Sequence, residues 1–127
     1  MDAYYELGKK LAGIYDIDTL IEKIKSQGIE EEKKKVILLG FANAKNDARE
    51  IFLAAREANN EELMKIAKVG LLKDIRMATK IALYLNDTEL MEMVLEEAEK
   101  REDMATVHNL KEKLREIKLK ELLTQLG

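Results

Sequence analysis

The chain has 127 residues, 46% of them hydrophobic and 37% charged, against the usual ~25% charged. The 22 Lys and Arg nearly balance the 25 Asp and Glu, leaving a net charge of -3. That excludes the basic balance of a general nucleic-acid binder and the apolar-poor, one-signed composition of a disordered chain. There is no cysteine, hence no disulfide framework, thiol nucleophile or thiolate metal site. No secretory signal is read at the start, and no apolar run approaches the ~18 residues of a membrane span. The expectation is a soluble cytoplasmic protein without membrane contact.

Proline is absent, Glu, Lys, Leu and Ala are abundant, and no segment alternates like a strand, so the pattern predicts helix throughout. Many Glu and Lys with few Gln also give a thermophile-like composition, against which stand six Met.

Asp2 is placed to cap a first helix over residues 3–14, with Tyr4, Leu7, Leu11 and Ile14 at helical spacing. Asp16 or Asp18 starts a second, carrying Leu20, Ile21 and Ile24, and Gly28 stops it. Glu30-Glu31-Glu32-Lys33-Lys34-Lys35 opens a third helix with acids at the positive end of the dipole and i,i+4 pairs. Residues 36–42 are then apolar on all sides, which predicts the most buried helix. Gly40 within it predicts close approach of a neighbouring helix.

Asn46-Asp47 begins the fourth helix, with Ala48, Ile51, Phe52, Ala55 and Ala58 on one face. The fifth carries Leu63, Ile66, Ala67, Gly70 and Leu71. The sixth carries Ile75, Ala78, Ile81, Ala82 and Leu85, and the seventh Leu90, Met91, Val94, Leu95 and Ala98. Asp103 caps the last and longest helix, to about Leu126.

The corner Asn59-Asn60-Glu61-Glu62-Leu63-Met64 recurs as Asn86-Asp87-Thr88-Glu89-Leu90-Met91, about 27 residues later. Glu62 and Glu89 stand three residues after Asn59 and Asn86, a capping-box spacing. Helix-pair starts near residues 2, 30, 60 and 87 imply four antiparallel hairpins in one domain spanning 1–127. Hairpins this short must stack to bury their faces. The pattern resembles the helical-hairpin repeats of α-solenoids, with a period shorter than the ~34 residues of the tetratricopeptide type. A non-repeating helical bundle fits the same elements.

No residue set reads as catalytic, cofactor-binding or metal-ligating. His108, the only histidine, is part of no Glu-x-x-His pair and reads as a helix-surface or interface residue. Glu89, Glu92, Glu96, Glu99 and Asp103 form an acidic stripe opposite the apolar face of their helix, so they should face water. Lys65, Lys68, Lys73, Arg76 and Lys80 give the fifth and sixth helices a basic surface, the best candidate for an anionic partner. Equal distance from the corner at residues 86–87 predicts an ion pair Lys80–Glu92 or Arg76–Glu96.

The last helix is the most informative. Leu110, Leu114 and Ile117 form one apolar stripe. Leu119, Leu122, Leu123 and Leu126 form a second that, at ~100° per residue, lies on the opposite side. Either the helix breaks near Lys118-Leu119-Lys120, or the second stripe meets another molecule. The expectation is a non-catalytic protein–protein interaction or scaffolding module, pairing with itself or with another protein through these leucines. The alternative is an accessory nucleic-acid-associated protein using residues 65–80.

Overall fold

In a computed structural model that describes residues 2–127, the chain is all-helical, as its composition predicts. The order is α1 (Ala3–Ala12), α2 (Ile17–Gln27), α3 (Glu31–Ala44), α4 (Ala48–Glu57), α5 (Glu61–Leu71), α6 (Ile75–Leu85), α7 (Thr88–Lys100) and α8 (Met104–Leu126). The starts expected at Asp2, Asp16, Asp47 and Asp103 hold, each side chain accepting an amide of its helix's first turn, and Asp74 and Asp87 do the same for α6 and α7, satisfying donors that no helical partner can reach. Gly28 ends α2 in the left-handed conformation at φ 62°. Contacts divide the chain into two units, residues 1–70 and 71–127.

In the first unit the closest helix pair is α1 with α3, not the α1–α2 hairpin that sequential pairing predicts. The cause is steric. A Cβ at Gly8 would overlap the Ile37 carbonyl oxygen and lie 2.9 Å from the Phe41 nitrogen. A Cβ at Gly40 would overlap the Tyr5 carbonyl oxygen and lie 3.2 Å from Tyr5 Cα. The approach predicted at Gly40 is therefore real, and Gly8 supplies its other half. α1 turns this glycine inward and leaves Tyr4 and Leu7 exposed, and it ends at Ala12, short of the exposed Ile14, contrary to the apolar face predicted over residues 3–14.

The other helices of this unit are tied side to side. α3 packs on α4, and α2 on α4. Ile17, Leu20, Ile24, Ile37, Leu38, Phe41, Ala42, Ala54 and Ala58 form one buried cluster. Half-buried ion pairs reinforce it. Lys34 meets Glu57 at 3.2 Å, joining α3 to α4. Glu50 Oε2 takes the Lys45 ammonium at 3.4 Å and the Ile17 amide at 3.1 Å, so one carboxylate compensates a cation and the positive end of α2. At the start of α3 the charge pairs run i,i+3, Glu30–Lys33 and Glu31–Lys34, one residue closer than predicted.

α5 turns Ala67 and Leu71 inward but leaves Ile66 69% and Val69 62% exposed, while Lys68 is only 5% exposed. Ile66 is thus not a core residue, and Lys68 does not display its charge.

In the second unit α6 packs on α7 and α7 on α8, around buried Ile75, Ala78, Ile81, Ala82, Leu90, Met91, Val94, Ala98, Val107 and Leu110. The corner at residues 86–87 has a defined construction. Asn86 is left-handed at φ 55°. Its amide reaches the Leu83 carbonyl and that of Asp87 the Ala82 carbonyl, at 3.3 and 3.0 Å. This is a Schellman ending. Asp87 then caps α7 through the Leu90 amide at 3.0 Å, so one residue ends a helix and the next begins another. The corner before α5 is the same: Asn59 at φ 55°, Asn60 to Ala55 at 2.9 Å, and Leu63 to Asn60 at 3.1 Å. The caps are therefore Asn60 and Asp87, not the Asn59 and Asn86 that a capping box at Glu62 and Glu89 requires.

A third copy joins α7 to α8, unpredicted because it carries Glu102 in the left-handed position, φ 59°. Asp103 reaches Ala98 at 2.9 Å and accepts from Thr106 at 3.3 Å. It follows the second by about 16 residues, not 27. The recurrence therefore marks helix junctions, not a fixed repeat length.

Candidate interaction surface

α8 is one unbroken helix from Met104 to Leu126, so the predicted choice between a break and a bare stripe falls on the bare stripe. Asp103 anchors its start, accepting the Thr106 amide and the Thr106 hydroxyl, the latter at 2.7 Å. Val107 and Leu110 are buried against the unit, and Leu114 and Ile117 are half-buried. From Lys118 onward every residue is exposed. Nine helical residues at 1.5 Å rise carry the helix about 13 Å along its axis without covering contacts.

Leu119, Leu122, Leu123 and Leu126 are 57, 49, 56 and 86% exposed. They sit at i, i+3, i+4 and i+7, one face of a helix, on the side opposite the buried Val107 and Leu110. An open apolar groove runs beside them, walled by Leu114, Arg115, Lys118, Leu119 and Leu122. Arg115 and Lys118 are thus part of this surface, one turn and one residue before Leu119, and their aliphatic stems can cover apolar area while their charges stay in water. Met104, 65% exposed, lies on the same side near the helix start. The other side of the helix end is polar, where Glu116, Ile117, Lys120 and Glu121 face Asn86 across a shallow depression.

The remaining candidates behave differently. Lys65 is exposed on α5, in the first unit, whereas Lys73, Arg76 and Lys80 are exposed in the second. With Lys68 buried, the basic set is smaller than the five predicted. Glu89, Glu92, Glu96 and Glu99 face water as expected, whereas Asp103, the fifth of the stripe, is half-buried as the cap of α8. Neither Lys80–Glu92 nor Arg76–Glu96 pairs among the described residues, and Glu96 meets Lys100 along its own helix at 3.6 Å. Equal distance from a corner brings residues together only on facing sides, and those sides carry Ala78, Ile81, Ala82, Leu90 and Val94. His108 is exposed and lies 3.6 Å from Glu112. Among the described residues no group of three His, Asp or Glu could hold a metal ion, and no helix is long and apolar enough to cross a membrane.

In the first unit Asp16 is held below the usual carboxylate range, first by the Thr19 backbone amide and then by its hydroxyl, with Lys45 and Arg49 adding to the effect. It is a helix cap and points to no ligand.

No family model matches the chain, and no curated protein or solved structure is significantly similar to it.

Proposed function

We propose that the chain is a non-catalytic protein–protein interaction module whose contact element is the leucine face of α8, and that self-association is its principal use. The observation that carries this reading is an unbroken helix whose last two turns expose four leucines on one side. Scattered exposed apolar residues are ordinary on a soluble protein, but a contiguous stripe marks an interface. The lack of cysteine suits a reducing compartment such as the cytoplasm.

Light scattering across a range of protein concentrations tests the reading. The unsubstituted chain should rise in mass with concentration, and Leu119→Lys with Leu123→Lys should stay monomeric with unchanged helical circular dichroism. Identical masses for the two proteins would overturn it. A salt-sensitive mobility shift with duplex DNA or RNA, lost in Lys73→Glu with Arg76→Glu, would favour the nucleic-acid-associated role instead.

A further inference from the structure

We infer that two copies of the chain pair antiparallel through the last two turns of α8, Leu119 of one facing Leu126 of the other. The inference rests on the self-association proposed above and supplies its geometry. Residues 115, 118, 119 and 122, which border the apolar groove, stand at i, i+3, i+4 and i+7. Residues 119, 122, 123 and 126 repeat that spacing. Four residues so placed form the hole that receives one side chain of a facing helix. With the helices antiparallel, the partner's Leu126 enters the first hole and the partner's Leu122 the second.

A parallel pair would fill the same holes, and charge separates the two arrangements. Before the leucines, the same side of α8 carries Glu112 and Arg115, both exposed, with Lys111 and Lys118 along one edge. A parallel pair in register sets Glu112 against the partner's Glu112 and Arg115 against the partner's Arg115. It also gathers the Lys111 and Lys118 of both copies at one level. Like charges opposed across a helix pair are unfavourable and select against that register. The antiparallel pair lays leucine on leucine, while each copy's charged residues run past the end of the partner's stripe into water. Four leucines from each copy make a contact at or below the small end of specific interfaces, about 1,200 Å². The pair should therefore form and dissociate with concentration.

The absence of native cysteine makes single-cysteine variants of the full chain clean reporters. Leu119→Cys and Leu126→Cys are oxidised mildly, each alone and mixed in equal amounts, and the linked peptides are identified by mass. The antiparallel pair predicts a disulfide between position 119 of one copy and 126 of the other, formed in the mixture. Each variant alone should link little, because identical positions sit roughly 10 Å apart along the axis, beyond the ~7 Å that a disulfide spans. Efficient linking of each variant to itself would overturn the inference in favour of a parallel pair. A dimeric mass without any linking would place the contact elsewhere and also overturn it. A monomeric mass for the unsubstituted chain at every concentration would instead remove the self-association on which the inference stands.

Discussion

In residues 1–70 the helices are brought together along their sides, by backbone contact at Gly8 and Gly40 and by carboxylates shared between elements. In residues 71–127 both the α6–α7 and the α7–α8 junction are built from a left-handed residue followed at once by a cap, a construction the first unit uses once, between α4 and α5. The ion pairs Lys100–Glu96, Arg101–Glu97 and Lys113–Glu116 each run along a single helix, and surface pairs of this kind add little. The first scheme depends on a few positions that tolerate no extra atom. The second closes its corners on local hydrogen bonds and packs its helices through side chains rather than touching backbones.

The two units should differ most at the glycines. Gly40→Ala or Gly8→Ala must separate α1 from α3, and overpacking against backbone should cost about 3 kcal/mol or more, read as a lower urea midpoint. The same change at Gly70 meets only the Ala48 Cβ at 3.5 Å. There it should stabilise by about 0.5–1 kcal/mol through helix propensity. Equal losses at all three positions would erase the distinction drawn here.

Next in size is Glu50→Ala. It leaves the half-buried Lys45 and the Ile17 amide without their shared acceptor, a loss of about 2 kcal/mol in chemical denaturation. Glu50→Gln, which can still accept from Ile17, should lose less. The end-joined scheme is sharpened by Glu102→Gly. A non-glycine residue held left-handed is strained by about 1 kcal/mol, so the substitution should raise the melting temperature by a few degrees. The smallest effect is at Asp16. Its folded pKa lies below the ordinary 3.8, so its contribution is present above that value and is lost as pH falls through the lower, folded one. Asp16→Asn should flatten the acid limb of a stability–pH curve and leave the neutral region's slope unchanged.

Local chemistry carried much of this fold into view. Caps at Asp2, Asp16 and Asp103, the stop at Gly28, the burial of Ile37, Leu38, Phe41 and Ala42 within the apolar run 36–42, where Val36 and Leu39 stay half-buried, and the opposed stripes of α8 all follow from side-chain type and period. What escaped depends on contacts distant in sequence or on strain. Hydropathy favours Tyr4 and Leu7 as the inner face of α1, because it cannot register that two glycines let backbones touch. In α5, Leu63, Ala67 and Leu71 define a narrower inward line than the apolar set suggests, so Ile66 falls outside it and Lys68 within. The third corner stayed hidden because Glu102 is a poor residue for the conformation it holds. The candidate surface was legible as four leucines. Its basic wall, Arg115 and Lys118, required the groove itself.

The pairing of α1 with α3 across the intervening α2 also has a kinetic meaning. Each corner of the second unit closes within a handful of residues, so those helices can form and dock on local contacts, the fast regime of helical proteins. α1 gains its closest contacts only after α2 and the loops beside it have been arranged and α3 has formed, which delays the return on the chain entropy spent. The contacts of α1 with Ile37, Gly40 and Phe41 can form only once the middle of α3 has been added to the chain.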